Sequence, residues 1–214
     1  DLHSFPTRRS SDLEIRQAFQ EVIGDIREIC DSDHCCIMLV DNEKKICTNF
    51  AESIRPGSSV LPLSNFIDGF YEIVKTWPDT LDGSTCLILK DEHDMEKLRE
   101  QNPLWAASLE QTNAHSVVLF ALRHGKQHLG YMWVLNFNVA EAIKIKETLE
   151  VTTFFLASEV ASYQLMNKLE IMSTIDSLTN VKNRNEMNNR VDLIVEGSEP
   201  VPKAVLFVDL NGHL

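Results

Sequence analysis

The sequence predicts an α+β fold: an antiparallel sheet with flanking helices, a long C-terminal helix, and then an incomplete α/β unit. Three observations carry this. Two pairs of short apolar runs, at 35–50 and 116–137, each enclose a polar turn, the pattern of antiparallel hairpins. Helix-period patterns fill the chain before and between those pairs. From Val139 to Ile171 the chain contains neither Pro nor Gly and reads as helical, as one helix or as two with a break between them.

His3 to Leu13 reads HSFPTRRSSDL and has no apolar period. It suits a disordered terminus, and it also resembles the translation of a sequencing adapter, so residues 1–13 are set aside from the fold. From Glu14, the residues Ile15, Phe19, Val22, Ile23, Ile26 and Ile29 recur at helical spacing and give one apolar face. Asp31-Ser32-Asp33 breaks this helix. Cys35–Val40 is nearly all apolar and reads as a buried strand, with Lys45–Phe50 as its hairpin partner. Phe66, Phe70, Ile73 and Val74 suggest a short helix ending near Trp77-Pro78. Cys86–Leu89 is a further strand. Asp94–Glu100 is a short charged helix, and Asn102-Pro103 opens another that runs to Gln111, with Asn102 as its cap. Ser116–Leu122 and Leu129–Phe137 flank the turn His124-Gly125-Lys126-Gln127, a hairpin with good turn chemistry.

The 214 residues suit one domain and part of another. At 43% apolar there is enough material for a core. The net charge of −12, with no basic stripe, argues against nucleic-acid binding, which depends on Lys and Arg neutralising phosphates. No apolar run reaches the ~18–20 residues of a membrane helix. The five cysteines, Cys30, Cys35, Cys36, Cys47 and Cys86, are odd in number and form no CxxC pair. Reduced thiols in a cytoplasmic protein are expected.

Ser116–Phe137, SVVLFALRHGKQHLGYMWVLNF, resembles the last two central strands of GAF domains, in which a strand, a basic turn and a second strand beginning with Gly and an apolar residue recur. The order of elements across roughly residues 12–163 resembles that family too, although PAS and other sensor folds share the architecture. A second resemblance lies further on. Ser173–Arg184, STIDSLTNVKNR, is similar to the signature that opens GGDEF domains, D-x-L-T-G-[aliphatic]-x-N-R. Asp176, Leu178, Thr179, Val181, Asn183 and Arg184 match it. Asn180 replaces the usual Gly, and Asn tolerates a left-handed backbone better than most residues. Lys203–Gly212, KAVLFVDLNG, resembles the first GGDEF strand, though His213 and Leu214 depart from the family.

These resemblances imply a division into residues 14–163, a GAF-like sensor; 164–174, a helical linker; and 175–214, the start of a GGDEF domain. They imply a sensory region of a bacterial cyclic-di-GMP signalling protein whose full-length form is a diguanylate cyclase, joining two GTP. Asp209 would be a magnesium ligand and Leu210 would add its backbone carbonyl. A carboxylate at a strand end is a suitable ligand for a hard cation, although DLNG is also what a turn after a strand looks like. Asp176 and Arg184 would form a structural ion pair coupling linker to cyclase. The guanine-contacting residues, second carboxylate and GGDEF loop would lie past Leu214, so this chain alone is expected to be inactive.

Leu165, Leu169 and Met172 step by four and three along the linker, after Leu156 and Val160. They suit a homodimer through paired helices, or equally one helix packed on the sheet. The sensor ligand is not legible, and no bilin-attachment pattern is read. His34 beside Cys35-Cys36 lacks partners at metal-ligand spacing and reads as a core or strand-edge feature. Cys36 and Cys47 are placed opposite each other across the hairpin. His115 suits a haem or nucleotide contact or a strand edge, and Trp105 and Trp133 a pocket wall or core. The alternatives to a cyclase are a non-catalytic ligand-binding or dimerisation module with a degenerate GGDEF domain, and a sensor leading into a phosphodiesterase.

Overall fold

The computed structural model describes residues 8–195, except Phe66, Ser177 and Asn180, with side chains from residue 13 apart from Leu193. The strand expected at 203–209, the metal position Asp209 and Leu210 all lie outside the described residues. The chain divides into two compact units between Ala161 and Ser162.

In the first unit, helix α1 spans Arg8–Ile29. It starts earlier than the expected Glu14, because nothing between Arg8 and Leu13 breaks a helix. It ends in a left-handed closure. Asp31 has φ 45°, Ser32 N–H donates to the Arg27 carbonyl and Asp31 N–H to the Glu28 carbonyl, so the last carbonyls are satisfied. Strand β1, His34–Asp41, then turns into β2, Ile46–Ile54. Asp41 Oδ1 accepts from the amides of Glu43 and Lys44 and fixes that turn.

Next come α2, Tyr71–Val74, and α3, Trp77–Leu81. Trp77-Pro78 was expected to end a helix and instead opens one. Proline in a first turn gives up only an amide that has no helical partner. Strand β3 is Cys86–Leu89, α4 is Glu92–Gln101 and α5 is Pro103–Gln111. Asn102 caps α5 as expected, accepting from the Trp105 amide at 3.1 Å. Strands β4, Val117–His124, and β5, Gln127–Leu135, form the second hairpin, turning at Gly125-Lys126. A short 3-10 turn precedes α6, which is continuous from Ala142 to Thr174.

The five strands form one antiparallel sheet in the order β2-β1-β5-β4-β3. Its two faces have separate cores, as strand alternation requires. On one face Cys36, Met38, Leu119, Tyr131, Trp133 and Leu135 join Val74, Trp77, Leu98, Trp105 and Leu109 of the short helices in a single apolar cluster. The alternate residues Cys35, Ile37, Val118, Phe120, Met132 and Val134 are also buried and face the other way. That side carries α1, whose Phe19 meets Phe50 of β2 edge-on at 4.8 Å. It also carries the first part of α6, where Thr153 and Phe154 lie by Phe120.

Register settles two expectations. A bulge between Ile37 and Met38 sets Cys36 opposite Glu52 and Cys47 opposite Val40. Cys36 and Cys47 therefore do not face each other: the hairpin closes at Asp41 and Ile46, which sets Cys47 four residues along β1 from Cys36, and the bulge shifts the register by only one. Gly130 of β5 has φ 155°, and a Cβ there would lie 2.0 Å from the Met38 carbonyl oxygen. The close approach of β1 and β5 requires glycine at this point.

In the second unit, the end of α6 and helix α7, Arg184–Val195, are joined by a tight loop. Ile175 bridges Lys182 in antiparallel fashion.

Candidate functional site

The helix-side core of the first unit holds a partly open cavity of about 30 Å³, room for one or two water molecules. Its walls are Phe70, Trp77 and Trp105 from the helical layer and Val117, Leu119, Trp133 and Leu135 from β4 and β5. The aromatic rings interlock. Trp77 packs against Trp105 at 4.9 Å, Trp133 at 5.7 Å and Phe70 at 5.8 Å between ring centroids. Among the described residues no acid, base or thiol lines the space, so those walls suit binding and offer no nucleophile or proton carrier.

Next to it lies a surface groove of about 330 Å³, bounded by the Leu61–Asn65 loop, the Asp68-Gly69 turn and the outer side of α5. Phe70, Ser108 and Thr112 border both spaces. Phe70 therefore stands between the groove and the cavity.

A buried polar network supports this wall from β1 and β2. Trp133 Nε1 donates to His34 Nδ1 at 3.3 Å. An indole N–H can only donate, so the proton of the His34 ring is on Nε2. Nε2 faces Glu52 Oε1 at 2.8 Å. Glu52 also accepts from the Leu63 amide at 2.6 Å and from Asn49 Nδ2 at 2.8 Å. Burial pushes the Glu52 carboxyl up, but the hydrogen bonds from His34, Leu63 and Asn49 outweigh it and hold the group below the ordinary carboxylate value. The network connects the cavity wall at Trp133 to the loop that borders the groove. His34 is thus a fully buried core residue, as its lack of ligand-spaced partners suggested.

The thiols are unsuited to chemistry. All five are free. Burial pushes Cys30, Cys47 and Cys86 up to about 11, and raises Cys35 and Cys36 as well. Protonated thiols are poor nucleophiles and poor metal ligands. Among the described residues no group of three His, Cys, Asp or Glu side chains could hold a metal ion. Nor is any described helix long and apolar enough to cross a membrane.

Of the expected site residues, Trp105 and Trp133 both line the cavity. His115 is exposed two residues before β4, and its amide donates to Asn136 Oδ1. The sequence pattern places Phe70 only in a short helix and Trp77 only at a helix end. Glu52 and Asn49 carried no sequence signal, because their partners come from distant strands.

In the second unit, three signature residues shape one loop. Asp176 Oδ1 accepts from the amides of Leu178 and Thr179 and from the Thr179 hydroxyl. Those bonds hold its carboxyl below the usual value. Asn183 caps α7 through the Glu186 amide and donates to the Ser173 carbonyl at 2.7 Å. Leu178 is 94% exposed and Arg184 is also exposed. Among the described residues no ion pair joins Asp176 to Arg184. The short Asp176 side chain reaches the amides two and three residues on, a turn-forming role rather than the expected pairing.

No protein-family model matches the chain, and no curated protein matches it. Solved structures do. A GAF domain of Synechocystis sp. in its photoproduct state aligns over 74% of this chain and 98% of its own, with 14% identity and a TM-score of 0.52. The phycoerythrobilin-bound GAF domain of a cyanobacterial phytochrome covers 73% of this chain and 90% of its own at 15% identity and a TM-score of 0.51. The blue-light-absorbing form of the PixJ GAF domain of Thermosynechococcus elongatus covers 77% and 98% at 15% identity and a TM-score of 0.51. The fold is that of a GAF domain.

Proposed function

We propose, from that fold, that the first unit is a sensory module, that its aromatic cavity receives the signal, and that α6 carries the response to a GGDEF-type diguanylate cyclase. One observation carries the sensory reading. Trp133 lines the cavity, while its neighbours Met132 and Val134 are buried on the opposite face of β5, the side occupied by α1 and α6. A ligand that displaces Trp133 therefore strains the same strand that supports the output helix.

A bilin like that of the phytochrome relative is not the ligand we assign. The cavity is too small for a tetrapyrrole, and no cysteine lines it for attachment. The signal is a smaller molecule.

The cyclase assignment rests on the resemblance of STIDSLTNVKNR and KAVLFVDLNG to the opening of GGDEF domains. The loop geometry at Asp176 and Asn183 supports a turn-and-cap role for the signature. In the parent protein Asp209 and the Leu210 carbonyl would bind magnesium, which would neutralise GTP phosphates during cyclic di-GMP formation. Reading the source gene past codon 214 tests this. A second metal carboxylate followed by a GG[DE]EF loop is expected. A frame without that loop makes the chain a non-catalytic binding or dimerisation module.

The parent would act as a homodimer through α6. Leu165, Leu169 and Met172 are 57%, 57% and 67% exposed and lie along the helix at four- and three-residue steps. Leu165→Lys with Leu169→Lys is expected to lower the dimer fraction in sedimentation without changing the melting of the first unit. An unchanged dimer would rule out this interface.

A further inference from the structure

The chemistry of the cavity wall narrows the ligand. Trp77 is 1% exposed, lines the cavity, and its Nε1–H meets no protein acceptor. A buried donor without a partner is costly, and each such group in a folded protein calls for an explanation. Two further polar groups at the wall are engaged within the protein. Trp133 Nε1 donates to His34, and Thr112 Oγ1 donates to the carbonyls of Ser108 and Leu109. Among the described wall residues, Trp77 Nε1 is the fully buried polar atom left without a partner, and so the donor whose pairing a guest would restore.

The remaining constraints come from the walls. All the described lining side chains are uncharged, and burying an ion without a counter-charge is prohibitive. The guest must therefore be neutral. The walls are largely ring faces and edges, which favour a flat molecule. At about 30 Å³ the cavity is too small for a ring, but Phe70, Ser108 and Thr112 line both it and a groove of about 330 Å³. Phe70 directly follows Gly69, which has φ 82°, so the ring hangs from a turn rather than from a helix interior.

We propose that the cavity takes a small, flat, uncharged molecule with one hydrogen-bond acceptor, which enters from the groove by displacing Phe70 and pairs with Trp77 Nε1–H. The proposal rests on the reading of this cavity as the receiving site and adds the chemical class of its ligand.

Pyridine and benzene are a matched pair of probes, alike in shape and differing in one acceptor. The full 214-residue chain, labelled at its tryptophan nitrogens, would be titrated with each at mildly alkaline pH, where pyridine is neutral. Benzoate would serve as a charged control. The Trp77 indole N–H signal is assigned with Trp77→Phe. Pyridine is expected to shift that signal downfield and to bind about tenfold tighter than benzene, and Trp77→Phe to abolish the difference. Equal affinities, an unmoved Trp77 signal, tighter benzoate binding, or no binding by any probe would each overturn the proposal.

If Trp77→Phe fails to fold, Phe70→Ala provides an independent test. By removing the displacement step it should tighten pyridine binding roughly three- to tenfold. An unchanged or weaker affinity overturns entry past Phe70. A parent cyclase that ignores a probe giving all the expected signals would defeat the sensory reading and leave the ligand chemistry intact. A responsive parent with an unmoved Trp77 signal would do the reverse.

Discussion

Glu52 shows how a single side chain can organise a wall that the sequence does not announce. Its carboxylate gathers His34, the Leu63 amide and Asn49, and it is held below its ordinary value despite burial. A carboxyl depressed in the folded state adds stability that is fully present above its unfolded value of about 4.5. That stability is lost as the pH falls through the lower, folded value. The stability gap between the native chain and Glu52→Gln should therefore be constant near neutrality and shrink on acidification below about pH 4.5. Urea titrations at a series of pH values would show it, and a gap that widens on acidification contradicts the network. Gly130 makes a second residue-scale prediction. A Cβ 2.0 Å from the Met38 carbonyl oxygen forces β1 and β5 apart, so Gly130→Ala should cost about 3 kcal/mol in denaturant unfolding. The sequence marked this glycine as part of a strand motif. It could not show the reason, which lies 92 residues away on β1. Likewise His34 and Cys35-Cys36 were legible as core features, while the partner Trp133 was not, because a hydrogen bond across 99 residues leaves no local pattern.

At the scale of elements, the strands and long helices were legible because period and turn chemistry agree in them. β1, β3, β4, β5 and α6 all fall within a few residues of their expected bounds. The misreadings occurred where local signals were ambiguous. Trp77-Pro78 suits the last residues of one helix as well as the first of another, and the register that keeps Cys36 and Cys47 apart across the first hairpin is not marked at either cysteine. The short helices depend on their caps. Asp91 caps α4 by accepting from the Asp94 amide at 3.0 Å and does little else. Asn102 caps α5 and its Nδ2 also donates to the hydroxyls of Thr76 and Thr80, at 2.7 and 2.8 Å, while buried. Asp91→Ala should therefore cost about 1 kcal/mol, and Asn102→Ala roughly 2–3 kcal/mol, since it also strands buried hydroxyls. Thermal unfolding of the two variants would rank them, and equal losses would contradict the bridging role of Asn102 between α3 and α5.

For the whole molecule, the sheet divides two tasks between its faces. One face, roofed by α2 to α5, holds the aromatic cavity. The other supports α1 and the start of α6. That division made the first unit readable from hairpins and helical periods, but the cavity itself required the structure, since its walls come from four segments far apart in sequence. The signature residues of the second unit were legible as a motif. Their observed roles in turn and cap are local, and Asp209, the proposed metal position, lies outside the described residues. The most direct test of the central claim is the rate at which the full-length parent converts GTP to cyclic di-GMP, compared with its Trp133→Leu variant once both are shown to melt alike. A sensory cavity linked to a cyclase through α6 predicts measurable cyclic di-GMP from the native parent and a rate changed severalfold by the substitution. A parent that makes no cyclic di-GMP, or one whose rate does not respond to Trp133, would contradict it.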